Sequence, residues 1–323
     1  MAQTPPLPIR DGLNPTRARV PEAENGITAW DFVMRLINTQ RHKHPEEGAA
    51  AVDKRFENGQ VRLRDGRALT PGDPLKAGWD VYFYRAPAPE EPVPYDIVYL
   101  YEDENLLVVD KPPFMATMPR ASHITETATV RVRRETGNAE LSPAHRLDRL
   151  TSGVLVFTKR REVRGAYQQL FATREITKTY EAVGPALDLE TPLTWRSRMT
   201  KVPGEVQGRI EPRGEVNAVT DVVETAPITA AEHANIEAVH GPQPQLMRYF
   251  LQPHTGKTHQ LRLHLWDAGA PILGDPVYPV TLPLEAEDMR VPMHLTARQI
   301  TINDPLSGQI RTFRTDLEVL GRI

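Results

Sequence analysis

The residues best suited to chemistry lie between His145 and Gly153, in the run His145-Arg-Leu-Asp-Arg-Leu-Thr-Ser-Gly153. Asp148 is flanked by Arg146 and Arg149, then by a turn of small residues, then by an apolar strand starting at Val154. A carboxylate at such a junction can sit in a cleft beside cations that keep it ionised; as an isolated residue it would equally serve as a surface or capping carboxylate. Further on, Ile176-Thr-Lys-Thr-Tyr-Glu-Ala182 alternates as a strand and sets Lys178 and Tyr180 on one side. His259, Arg262 and Trp266 fall at helical i, i+3, i+7 spacing. His254, His259 and His264 are five apart, which fits no helical metal pair, and no phosphate-binding glycine loop occurs. The chain contains no cysteine, so disulfides, thiolate metal sites and thiol nucleophiles are excluded.

These residues need elements to hold them. Leu106–Val109 and Val154–Phe157 read as buried strands. Val163, Ala166, Tyr167, Leu170 and Phe171 form one face of a helix ending near Arg174. Thr258 predicts the N-cap of a helix over 259–268, with Gly269 at C′, Pro271 beyond it, and Leu261, Leu265 and Ala268 as its inward stripe. The region from Pro185 to Met247 is mixed and acidic and assigns no element.

Before these lies a smaller pattern. Trp30, Phe32, Val33, Leu36 and Ile37 predict a helix over about 28–40, and Gly59–Gly66 and Asp80–Arg85 read as strands, the first with Arg62 and Arg64 on one face. Residues 1–25 read as a loose leader. Residues 86–95, with four prolines, read as a stiff linker. The expected organisation is a leader, a small α+β domain over 26–85, the linker, and a main domain over 96–323.

At 323 residues, 40% hydrophobic and 25% charged, the composition is that of a soluble globular protein. No run of eighteen apolar residues occurs, and the first twelve residues lack the apolar core of a secretory signal, so a cytoplasmic protein is expected. The net charge of −3 conceals opposed regions. Residues 120–178 hold twelve Lys and Arg against six Asp and Glu, and 185–247 hold five against nine. The net figure alone suggests no nucleic-acid partner, yet a basic strip surrounds Asp148.

The run from His145 to Gly153 resembles the H-R-L-D-x-x-T-S-G signature of the RluA-type pseudouridine synthases at every specified position. Val109-Asp-Lys-Pro112, Lys178-Thr-Tyr180, and Thr255-Gly-Lys-Thr-His-Gln-Leu-Arg262 continuing through Pro271-Ile-Leu-Gly-Asp275 resemble the family's other motifs, in its order, over about residues 96–314. The first motif is followed here by the bulkier Pro113–Met118, and Lys257 stands where arginine is usual.

The resemblance implies an α+β fold with a mixed, largely antiparallel sheet flanked by helices. It implies isomerisation of uridine to pseudouridine in rRNA or tRNA, without cofactor or metal, by a monomer. Asp148 is then the nucleophile, attacking at the ribose anomeric carbon or, in an older scheme, at the base ring. Tyr180 lies beside the uracil and takes part in proton removal, and Arg262 pairs with the catalytic carboxylate. Arg146 fills the space of the flipped base, while His145, Arg149, Lys178, Lys257 and His259 contact RNA. The α+β pattern of 26–85 resembles an RNA-binding module of a small-subunit ribosomal protein. The rival reading is an RNA-binding or RNA-chaperone protein on the same fold without catalysis.

Overall fold

The computed structural model describes residues 6–173 and 175–320, which divide into two compact units. Unit 1 takes residues up to Pro92 together with Met118–Ala139; unit 2 takes Val93–Thr117 and Glu140 onward. This differs from the boundary expected from composition, because proline content marks stiffness and says nothing of where the chain returns.

In unit 1, β1 (Thr16–Arg19) and β2 (Val61–Leu63) flank β3 (Asp80–Phe83) in an antiparallel sheet. Helices α1 (Ala29–Asn38) and α2 (Ala49–Glu57) share its core of Phe32, Val33, Ile37, Val52, Val61, Val81 and Phe83. Thr28 caps α1, its hydroxyl accepting the Asp31 N–H at 3.1 Å. The leader is therefore structured from residue 16: Ala18 and Val20 pack on this core, and Arg17 pairs with Asp80 at 2.8 Å. Arg62 closes its own hairpin by donating to Gly59 O and Gly66 O. Helix α3 (Ala128–Thr136) belongs to this unit; its Arg133 donates to Gly12 O at 3.0 Å. The segment 86–95 has neither helix nor strand but is tied down, Glu90 accepting the N–H groups of Ile124, Thr125 and Glu126.

Unit 2 is a mixed, mostly antiparallel sheet of eleven strands among the described residues. The first strands are β4 (Val98–Glu102), β5 (Leu106–Lys111), β6 (Ser142–Pro143), β7 (Ser152–Thr158) and β8 (Ile176–Pro185). They are followed by β9 (Leu193–Thr200), β10 (Arg209–Glu211), β11 (Ala218–Pro227), β12 (Leu246–Pro253), β13 (Leu295–Asn303) and β14 (Ile310–Arg314). Their order is β10-β9-β11-β12-β8-β13-β7-β5-β4, with β14 beside β13 and β6 beside β7; β13 and β7 run parallel.

Helix α4 (Arg161–Thr173) covers one face, packing Val163, Tyr167 and Leu170 against Val108, Val154, Val156 and Ile300. Helix α5 (Ala230–His240) starts with a complete capping box of Thr229 and Glu232. Helix α6 (Gln260–Asp267) is buried through Leu265. It starts one residue later than Thr258 predicts, with His259 at the N-cap in the left-handed region at φ 58°. Where β7 meets β13, Gly153 has φ +109°, and a Cβ there would lie 2.3 Å from Ala297 O, so only glycine lets the strands close. Among the described residues no helix is long and apolar enough to cross a membrane.

Candidate active site

Unit 2 holds a cleft of about 520 Å³ where the loop before β7, the start of β8 and the loop leading into α6 converge. Arg146, Asp148, Lys178, Tyr180, Lys257, His259 and Arg262 all line it. Residues more than a hundred positions apart are thus gathered around one carboxylate.

Asp148 is held through its neighbours. The Thr117 hydroxyl bonds both backbone groups of Leu147, donating to its oxygen at 2.9 Å and accepting its N–H at 3.1 Å. On the other side, Lys111 is fully buried and its Nζ donates to Arg149 O (3.2 Å), Pro112 O (2.7 Å) and Met115 O (2.8 Å). A buried ammonium survives only with its protons so occupied. The turn is closed by Thr151 N–H on Asp148 O at 3.1 Å. The Asp148 side chain is exposed in the cleft and makes no ion pair among the described residues. Lys111 and Thr117 were not singled out from sequence; the signal available was the position of Lys111 inside the first motif.

Tyr180 and Lys178 stand two apart on β8, as alternation requires. Burial and the nearby Asp148 carboxylate push the Tyr180 phenol up, so it stays protonated. Burial draws Lys178 down to about 8, and its Nζ lies 5.2 Å from the centre of the Phe171 ring.

Arg262 departs from expectation. Its guanidinium forks onto Asp275, Nε to Oδ2 at 2.7 Å and Nη2 to Oδ1 at 2.5 Å, with side-chain exposures of 3% and 0%. Asp275 also accepts the N–H groups of Val277 and Tyr278. The planar fork matches a carboxylate placed thirteen residues on, and Asp148 is not its partner.

Four matches to known proteins bear on this arrangement. A family description for RNA pseudouridylate synthase matches residues 105–266. The dual-specificity RNA pseudouridine synthase RluA of Escherichia coli K12 is 31% identical over 235 residues, spanning 70% of this chain and 94% of that protein. The chain belongs to the RluA-type pseudouridine synthase family. It is therefore an enzyme that isomerises uridine to pseudouridine in RNA. An uncharacterised RNA pseudouridine synthase of Synechocystis is 27% identical over 78% of this chain and 81% of its own length. The structure of human RNA pseudouridylate synthase domain containing 1 shares the fold at a TM-score of 0.53 and 22% identity, over 71% of this chain and 86% of that one.

Within this synthase, three residues expected to touch RNA are otherwise engaged. His145 is buried, stacks on Phe171 at 4.4 Å and accepts the Val156 N–H at 3.2 Å; burial and the nearby Lys178 hold it well below the usual imidazole range. It fastens the signature to β7. Arg149 makes a bidentate pair with Glu287, so its charge is spent inside the protein. His259 bonds Tyr278 OH through Nδ1 at 3.1 Å, and burial together with Arg262 lowers it to about 3, so it lines the cleft as a neutral ring. Arg146 and Lys257 are exposed and make no ion pair among the described residues.

The loop carrying Lys257 is not slack. Gln260 Oε1 accepts Thr255 Oγ1 at 2.7 Å and the Lys257 N–H at 3.1 Å, while its Nε2 donates to Val219 O and Thr220 Oγ1. The three histidines of the 254–264 run go separate ways: His254 to Asp221, His259 to Tyr278, and His264 to Ser197 and Thr220.

Proposed function

We propose that Asp148 is the nucleophile of this enzyme and that its target is a loop uridine of structured rRNA or tRNA, met in the cytoplasm by a monomer. The supporting observation is the pairing pattern of the cleft. Asp275 is consumed by Arg262, which leaves Asp148 as an exposed carboxylate without an ion pair, beside Arg146, Lys178 and Lys257. An exposed carboxylate without an ion pair keeps its lone pairs for the substrate.

In this reading an Asp148 oxygen forms a bond to the ribose anomeric carbon as the bond to uracil N1 breaks, its electron pair leaving on the base. The uracil turns, carbon 5 bonds to the anomeric carbon, and the carboxylate is released. The freed Asp148 carboxylate then takes the carbon-5 proton and passes it to water while N1 gains one from water, so the net change is an isomerisation. The phenol of Tyr180, whose proton is held by burial and by the nearby Asp148 carboxylate, packs beside the uracil and takes part in the proton removal. Arg146 enters the stack where the uridine was, since a guanidinium plane both stacks and binds phosphate. A loop uridine is favoured because unstacking costs least there.

The test is tritium release from RNA labelled at uracil carbon 5. Asp148→Asn is expected to abolish release while the protein folds normally by circular dichroism. Wild-type release from the variant would overturn the role of Asp148.

A further inference from the structure

Behind the cleft cation Lys257 runs a row of buried polar groups to which the isomerisation assigns no part. Gln260 and His264 lie one turn apart on α6, facing Thr220 of β11, and the three are 4%, 3% and 0% exposed. Gln260 uses all four of its hydrogen-bonding positions. Its Nε2 donates to Val219 O at 3.0 Å and to Thr220 Oγ1 at 2.9 Å. Its Oε1 accepts the Thr255 hydroxyl at 2.7 Å and the Lys257 N–H at 3.1 Å. The row continues through His264, with Nδ1 2.9 Å from Thr220 Oγ1 and Nε2 2.9 Å from Ser197 Oγ.

The direction of these bonds follows from counting protons. Burial lowers His264 to about 4, so near neutral pH its ring carries a single proton. Thr220 Oγ1 already accepts from Gln260, and its own proton has His264 Nδ1 as acceptor. The ring proton therefore sits on Nε2 and goes to Ser197 Oγ. Every donor from the Lys257 N–H onward points away from the cleft and into the sheet. A Gln260 amide turned the other way would set its NH₂ against the Lys257 N–H and the Thr255 hydroxyl, and its oxygen against Val219 O. Buried mismatches of that kind are costly, so the protonation of His264 fixes the orientation of Gln260.

The loop that this amide holds has little else to hold it. Gly256, Lys257 and Thr258 are exposed, and a Cβ at Gly256 would meet nothing within 4 Å, so packing does not place the Lys257 side chain. We infer that Gln260, kept in one orientation by His264 through Thr220, is a positioning residue that fixes where Lys257 meets an RNA phosphate, and so sets affinity for RNA without touching it. The inference rests on Lys257 being a phosphate contact of the cleft.

Steady-state kinetics on structured RNA over a range of salt concentrations test the assignment. Lys257→Ala is expected to raise KM about tenfold, the loss of one charge-assisted hydrogen bond. It should also lower the slope of log KM against log salt by about one. Gln260→Met and Thr220→Val should reproduce both changes with kcat within about twofold of wild type, and Gln260→Met should add nothing to KM in a Lys257→Ala background. A packing defect alone would lower the melting temperature, leave the salt slope unmoved and add to the effect of Lys257→Ala. His264→Leu should behave as Gln260→Met does, whereas His264→Asn, whose amide oxygen can take the Thr220 proton, should bring KM back near wild type. Nitrogen-15 spectra of His264 should place its proton on Nε2 between about pH 6 and 8. Wild-type KM and salt slope in both Gln260→Met and Thr220→Val, or additive losses in the double variant, would overturn the positioning role. A proton on Nδ1 would overturn the part given to His264. Wild-type KM and slope in Lys257→Ala would strike the phosphate contact and the inference with it, while a loss confined to Lys257→Ala would strike the inference alone.

Discussion

Replacing Asp275 by Asn is expected to be far more damaging to the fold than replacing Asp148 by Asn, although Arg262, the partner of Asp275, lines the same cleft as Asp148. Asp275 and Arg262 bury an ion pair at side-chain exposures of 0% and 3%. Removing one partner leaves the other charge without compensation in a site closed to water, which costs about 3–5 kcal/mol. The amide of Asn can keep the N–H groups of Val277 and Tyr278 on its oxygen, but its NH₂ then meets a guanidinium N–H, donor against donor. For a unit of about two hundred residues this corresponds to a fall in melting temperature of roughly 6–20 °C. Asp148 is exposed and unpaired, so Asp148→Asn should move the melting temperature by no more than about 2 °C. Thermal unfolding of both variants, with Arg262→Met and the double variant Arg262→Met/Asp275→Asn to measure the coupling, decides the matter. Equal destabilisation by Asp148→Asn and Asp275→Asn would refute the argument, since it would mean that Arg262 spends its charge on Asp148.

Gly153→Ala should cost more than about 3 kcal/mol and collapse the soluble yield, because the added carbon meets Ala297 O at 2.3 Å in a backbone conformation that alanine avoids; thermal unfolding of whatever is recovered gives the figure. Lys178, at about 8, loses its proton as pH rises, and with it the attraction for phosphate, so kcat/KM should fall above about pH 8; Lys178→Arg, which stays charged, should remove that fall. Arg149→Ala should leave KM for RNA within about twofold of wild type, as its charge already belongs to Glu287, whereas Arg146→Ala should abolish turnover on structured RNA.

How far the sequence could be read followed the physics of each segment. Strands β5 and β7 are buried at every position and carry the apolar runs Leu106–Val109 and Val154–Phe157, and α4 repeats its apolar face at helical spacing, so these elements announce themselves. Strand β9 shows mostly half-buried and exposed residues, and β11 changes register between Val222 and Glu224, so neither leaves a clean period and the region 185–247 stayed without elements. Helix α2 begins Ala-Ala-Ala, which marks no face. Asp148, Tyr180, Lys178 and Arg146 were legible as a group through their motifs. The partner of Arg262 was not, since a motif records which residues recur and not which atoms meet. The same holds for His145 and Arg149: a cation beside a catalytic signature looks available until its partners in space, Val156 and Glu287, are known.

The division of the chain has a consequence for its biogenesis. Unit 1 is discontinuous, needing Met118–Ala139 and the bond from Arg133 to Gly12 O for completion. During synthesis the core of unit 1, which lies between Ala18 and Phe83, is complete before α3 has left the ribosome, and α3 docks onto it afterwards. By then β4 and β5 have been made as well, with β7, the strand that buries β5, still to come. A nascent chain halted near residue 120 would therefore expose apolar surface chiefly from β5, whose partner β7 has not been made. Deleting residues 1–92 would leave α3 without the unit it packs into, and a catalytic fragment would have to drop 118–139 as well.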